Sequence, residues 1–205
     1  WQSVKGRVFQ ESESWRNAFH GRLPFPLTGA QQRAIDDIKR DLCSGKPMER
    51  LLQGDVGSGK TIVAAAAATL VMRAGAQASI MAPTSILAEQ HHHSLTRLLC
   101  ETGEHGAPLL APEQIRLLIG DTPNSEKSAI RTGLANGEIK LVIGTHALIE
   151  DPIVFHDLQL VVIDEQHRFG VEQRSMLRAK GSNPHLLVMT ATPIPRSLAL
   201  TVYGD

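Results

Sequence analysis

Cysteine is scarce in this chain of 205 residues: Cys43 and Cys100 are the only two, and they lack CxxC spacing. That leaves no basis for a disulfide framework or a thiolate zinc site, and free thiols in a reducing compartment are expected. A charge excess of one sign is also missing. The 21 Lys and Arg residues match 21 Asp and Glu, so no overall basic field announces nucleic acid and any grip on it must be local. No apolar run approaches the ~20 residues of a membrane span; the longest runs from Ile62 to Met72. The N-terminal stretch lacks the charged, apolar and small-residue order of a signal peptide, so a cytoplasmic protein that avoids membranes is expected. Hydrophobic residues make up 42% and charged residues 20%, the latter below the roughly 25% usual in soluble domains, which suits a layered fold with covered central strands.

Residues 1–23 are polar and without a clear period, and they end at LPFPLTGAQ, where Pro24 and Pro26 enforce extended backbone. They read as a linker or the tail of an upstream domain, with one domain over 24–205. Thr28 is a plausible N-cap for an amphipathic helix with apolar positions at Ala30, Ala34, Ile38 and Leu42. Six apolar runs of strand length follow (ERLLQ, ASIMA, QIRLLIG, KLVIGT, LQLVVID, HLLVMT), separated by helix-like stretches. Successive βαβ units of this kind predict an α/β fold, a mostly parallel sheet covered by helices on both faces.

After the first of these strands stands Gly54-Asp55-Val56-Gly57-Ser58-Gly59-Lys60-Thr61, followed by a helix. Strand, GxxxxGK[ST] and helix together form the P-loop pattern. Its glycines let backbone N–H groups turn toward phosphate oxygens at a helix N-terminus; Lys60 would neutralise the β and γ phosphates, and the Thr61 hydroxyl would bind Mg²⁺. ATP and Mg²⁺ are the expected ligands. The second constellation is LVVIDEQH, residues 160–167. A buried strand delivers Asp164 at its carboxyl end, where open α/β sheets bind ligands; Asp164 would hold the Mg²⁺ shell and Glu165 would orient the attacking water as base. His91, His92 and His93 are consecutive and so spread about 100° apart on a helix, unlike the i, i+4 pair that a metal requires.

GDVGSGKT, DEQHRFG (164–170) and TATPIPR (190–196), in that order, resemble motifs I, II and III of superfamily 2 helicases, specifically of RecG-type branched-DNA translocases. The similarity runs from LPFPLTGAQ to VYGD, and Gln166 favours this group over transcription-repair coupling translocases, which typically carry DEEH. The resemblance implies a RecA-like motor lobe with catalytic Lys60, Asp164 and Glu165. It implies that Gln31 reads the adenine edge, that His167 couples the nucleotide to Thr190 and Thr192, and that Pro83, Thr84, Gly144, Thr145 and His146 contact the DNA backbone. It also implies partners: branched DNA, a second RecA-like lobe and a wedge domain, for which this length leaves no room, in a protein expected to be monomeric. SLALTVYGD looks like one closing helix. Other readings of the same residues are the equivalent lobe of a transcription-repair coupling translocase, or a nucleotide-binding module without activity of its own.

Overall fold

Each of the six expected strands forms: β1 (Glu49–Gln53), β2 (Gln77–Met81), β3 (Ile115–Leu118), β4 (Leu141–Gly144), β5 (Leu158–Asp164) and β6 (His185–Thr190). The computed structural model describes residues 4–55, 59–102, 106–150, 152–164, 171–191 and 199–202. A further strand, β7 (Ala199–Val202), lies where the sequence suggested a helix. All seven join one sheet in the order β3-β4-β2-β5-β6-β1-β7. The six pair in parallel, and β7 runs antiparallel to β1. The physical reason for the difference at β7 is the outer edge of β1, whose row of backbone donors and acceptors the closing segment pairs.

Helices cover both faces. In β5, Leu160 and Val162 join the core cluster that contains α2 (Gly29–Cys43), α3 (Lys60–Arg73) and α4 (Ser85–Cys100), whereas Val161 and Ile163 join the cluster of α5 (Asn124–Asn136) and α6 (Val171–Arg178). Every residue of β5 is buried, as expected of a central parallel strand.

Residues 4–23 do not behave as a linker. Ser12 caps an eight-residue helix, α1 (Glu13–His20), its side chain accepting from the Trp15 N–H at 3.0 Å. Phe9, Trp15 and Phe19 are all at most 2% exposed, and Trp15 Nε1–H donates to Thr69 Oγ1 of α3 at 3.0 Å. Arg22 is 4% exposed, and its guanidinium donates to the carbonyls of Leu98 (2.8 Å), Gly106 (2.9 Å), Arg97 (3.3 Å) and Glu101 (2.5 Å), closing the end of α4. The cause lies in α3, which is buried continuously from Val63 to Met72. A helix apolar on all sides needs cover beyond one sheet face, and α1 and α2 supply it. The helix escaped sequence reading because only Trp15 and Phe19 mark its buried side. Trp15→Ala is expected to lower unfolding stability by ~3–5 kcal/mol in denaturant titration, whereas a mere appended tail would lose almost nothing.

His185 is fully buried and ties the same segment to the sheet. Its Nδ1 accepts from the Met48 N–H at 2.9 Å and its Nε2–H donates to the Arg7 carbonyl at 2.8 Å, an arrangement open only to the neutral ring. Burial pushes its pKa below the ordinary 6.5, against the opposing pull of the Arg7 carbonyl and Asp41; burial acts on His92 in the same direction. The unfolded chain therefore takes up protons that the folded chain refuses, and stability present at neutral pH is lost as pH falls below the ordinary histidine value. The thermal midpoint should drop between about pH 7.5 and about pH 5.5, with a shallower slope in His185→Gln, whose amide keeps one acceptor and one donor.

Candidate nucleotide and nucleic-acid site

Because six strands run in parallel, their carboxyl ends share one edge of the sheet, the edge at which ligands of open α/β folds bind. Register places the predicted residues along it. Gly144 is paired with Met81, Met81 with Ile163, Asp164 with Met189, and Thr190 with Gln53. The order across the edge is therefore Gly144–His146, Pro83 and Thr84, Asp164, Thr190, then Gly54.

At the P-loop end, Gly54 N–H donates to the Thr190 carbonyl at 3.1 Å. Lys60 opens α3, and its Nζ donates to the carbonyls of Gly54 (2.5 Å) and Thr190 (3.3 Å). Thr190, predicted to couple, thus touches the P-loop through its backbone. Burial pushes the Lys60 ammonium below its ordinary pKa, and Asp164 and Asp55 pull it back. The cation is held by carbonyl dipoles with carboxylates nearby, available to an anion that brings full charge. Gly59 precedes it with φ of +83° and no side-chain cap on the helix. The positive φ favours glycine, and a Cβ there would lie 1.9 Å from Gln31 Nε2, so a side chain would displace the Gln31 amide. Gly59 offers no side-chain cap to the first N–H groups of α3, and Thr61 sits half-buried in its first turn.

Asp164 is 3% exposed, and its Oδ2 lies 2.6 Å from His91 Nε2 of α4. A carboxylate only accepts, so the imidazole Nε2–H donates. No cluster of three or more His, Cys, Asp or Glu that could hold a metal occurs among the described residues. Mg²⁺ takes one or two carboxylates and fills its octahedron with water and substrate phosphates. Asp164 beside the Lys60 cation fits that chemistry, with the Thr61 hydroxyl as the second protein oxygen.

Gln31, expected to read the adenine edge, is held at the start of α2 by a hydrogen-bond network. It is 7% exposed and completes a capping box with Thr28: Thr28 N–H donates to its Oε1 at 2.9 Å, and Gln31 N–H donates to Thr28 Oγ1 at 3.1 Å. Its Nε2 reaches the Gly59 carbonyl at 3.4 Å. The amide is turned inward and joins α2 to the P-loop.

The loops expected to face DNA neighbour one another, joined by the Ala82 N–H to Gly144 carbonyl bond of 2.8 Å. Thr84 is the N-cap of α4, accepting from the Leu87 N–H at 3.3 Å; it is exposed, as is His146, which is 2.9 Å from Gln173 Nε2. Pro83 is half-buried, and Thr145 is 9% exposed. Gly144 has a packing reason of its own, because a Cβ would meet the Leu118 carbonyl at 2.1 Å. Gly144→Ala should therefore destabilise the chain by about 1–3 kcal/mol in thermal or chemical melts; a neutral result would leave a ligand contact as the reason for glycine there.

Val56, Gly57, Ser58, Glu165, His167 and Thr192 lie outside the described residues. One residue that the sequence reading passed over belongs to the site. In the sequence His91 is one of three consecutive histidines whose spacing does not suit a metal. A signal was present: it lies three residues after Ala88 and four before Leu95, both buried, so it shares the inner face of α4.

A phosphate loop at the head of a buried helix, with an aspartate two strands away on the same parallel edge, defines a P-loop nucleotide-binding α/β lobe. The family profile described as DEAD/DEAH box helicase matches residues 28–201, and the chain belongs to that family. It is 50% identical over 204 residues to the ATP-dependent DNA helicase RecG of Thermotoga maritima, covering 100% of this chain and 24% of that protein. The RecG of Mycobacterium tuberculosis is 50% identical over 190 residues, covering 90% of this chain and 26% of the relative. A solved structure of RecG bound to a three-way DNA junction superposes with a TM-score of 0.78 at 46% identity, covering 94% of this chain and 25% of that one. The chain thus spans about a quarter of the length of these relatives.

Proposed function

We propose that the chain is the ATP-binding motor lobe of a helicase or translocase that remodels branched DNA in recombination and repair. The observation that carries this reading is the single sheet edge shared by Lys60, Asp164, Thr190 and the two loops at Pro83–Thr84 and Gly144–His146. The similarity to RecG helicases, one of which was solved on a three-way DNA junction, favours branched DNA as the substrate.

In this reading the first turn of α3 and Lys60 grip the β and γ phosphates together with Gly54 to Gly59. Thr61 and Asp164 hold Mg²⁺, which would neutralise charge on the phosphates when bound. Glu165 orients and deprotonates the attacking water. The adenine belongs near Gln31, where Phe25, 77% exposed, offers a ring face beside an open groove of about 410 Å³ lined also by Leu23, Leu27 and Gln32. Backbone amides and hydroxyls of residues 83–84 and 144–146 suit the sugar-phosphate chain without reading sequence. His167, Thr190 and Thr192 relay the phosphate state toward those loops. A second RecA-like lobe would close the nucleotide cleft and a wedge domain would engage the fork, with residues 24–205 as the first lobe and the whole acting as a monomer. No helix among the described residues is long and apolar enough to cross a membrane, in keeping with a cytoplasmic DNA enzyme.

These 205 residues produced by themselves should bind ATP with Mg²⁺ in calorimetry while turning it over slowly, because the γ-phosphate would face solvent where a second lobe would close over it. Lys60→Ala removes a charge-assisted contact and should weaken binding about 10- to 100-fold. Unchanged affinity in that variant would falsify the phosphate assignment.

A further inference from the structure

We infer that His91 is a positioning residue for Asp164, fixing the carboxylate in the orientation that holds Mg²⁺. The inference rests on the nucleotide reading above and assigns a task to a side chain that the sequence motifs leave out. Three observations carry it. The His91 Nε2–H donates to Asp164 Oδ2 at 2.6 Å, short for a nitrogen donor and in keeping with a charge-assisted bond. Both partners are enclosed, the side chains being 13% and 4% exposed, so water does not readily substitute for the bond. The ring is held by its helix, because α4 is anchored by buried Ala88, Leu95 and Leu99 on the same side.

The chemistry follows from the geometry. An aspartate at a strand end can rotate about its last bond, and a donor on Oδ2 selects one orientation, leaving Oδ1 to face a cation. The nitrogen that donates cannot also coordinate, so through Nε2 His91 acts on the cation only by way of Asp164. Donors that orient a metal-binding group in this way are typically worth about 10- to 100-fold in metal affinity. The same helix begins at Thr84, in a loop assigned to the DNA backbone. One rigid element therefore joins that loop to the metal carboxylate.

The test measures binding of a fluorescent ADP analogue to the chain as Mg²⁺ is raised from an EDTA baseline. His91→Leu and His91→Ala, which lack a donor, should keep metal-free binding within about twofold and need about 10- to 100-fold more Mg²⁺ for the half-maximal enhancement. His91→Gln places an amide N–H near the position of Nε2 and should recover most of the loss. His93→Ala, at an exposed position of the same helix, should match the parent. Thermal melts establish which variants fold, and either donor-free variant suffices for comparison with Gln. A parent-like Mg²⁺ midpoint in a folded donor-free variant overturns the inference. So does a Gln variant as impaired as Leu, since the ring would then be filling space. If the unaltered chain itself shows no Mg²⁺-dependent nucleotide binding, the nucleotide reading fails first and takes the inference with it.

Discussion

The placement of α3 is the constraint on which the remainder of the structure depends. Its ten residues from Val63 to Met72 are buried in succession, so the helix is confined by packing along nearly its whole length and cannot slide or rotate without breaking contacts on every side. Lys60 is its first residue, and the carbonyls of Gly54 and Thr190 hold that residue's ammonium from β1 and β6. A rigid helix with its positive end aimed at a fixed edge is an arrangement that suits an anion. The small Ala64–Ala68 side chains permit this: they let α3 lie close to the sheet while α1 and α2 close over its back.

The N-terminal segment shows what that enclosure requires. Trp15 hydrogen-bonds into α3, Arg22 closes the end of α4, and His185 joins Arg7 to the sheet beside Met48. These are buried polar contacts with satisfied partners, the kind that specify one arrangement among several of similar hydrophobic content. Segments preceding and following the nucleotide edge are thus packed into one body, and the sheet gains a paired outer edge through β7.

The charge balance of the chain agrees with a site of this kind. With 21 positive and 21 negative side chains, attraction to phosphate cannot come from a general field. In the proposed reading it is concentrated instead in Lys60, half-sheltered among the carbonyls of Gly54 and Thr190. A local, desolvated cation interacts more strongly with a bound anion than a dispersed surface charge does, because screening by water and salt is reduced. The Asp164 carboxylate near it keeps the edge from being uniformly positive.

By itself, the sequence determined the elements and the family motifs. The six strands were legible as short apolar runs bounded by breakers, α2 by its Thr28 cap and four-residue spacing, and the phosphate loop and acid pair by residue types that few other roles demand. These signals are local, set by backbone conformation and by the period of burial within a few neighbouring residues. Tertiary structure decided what depends on partners distant along the chain. Residues 4–23 read as a linker or the tail of an upstream domain because their packing on α3 and α4 is invisible from their own pattern. The closing segment became a strand because the edge of β1 was available to it. Gln31 turned inward because Thr28 and Gly59 satisfy its amide, and Gly144 is glycine because the Leu118 carbonyl leaves no room for a side chain. His91 came to Asp164, 73 positions away in the chain, because α4 packs with its Ala88 and Leu95 side inward. No local pattern encodes a meeting of that kind; it follows from how helix and sheet close upon each other.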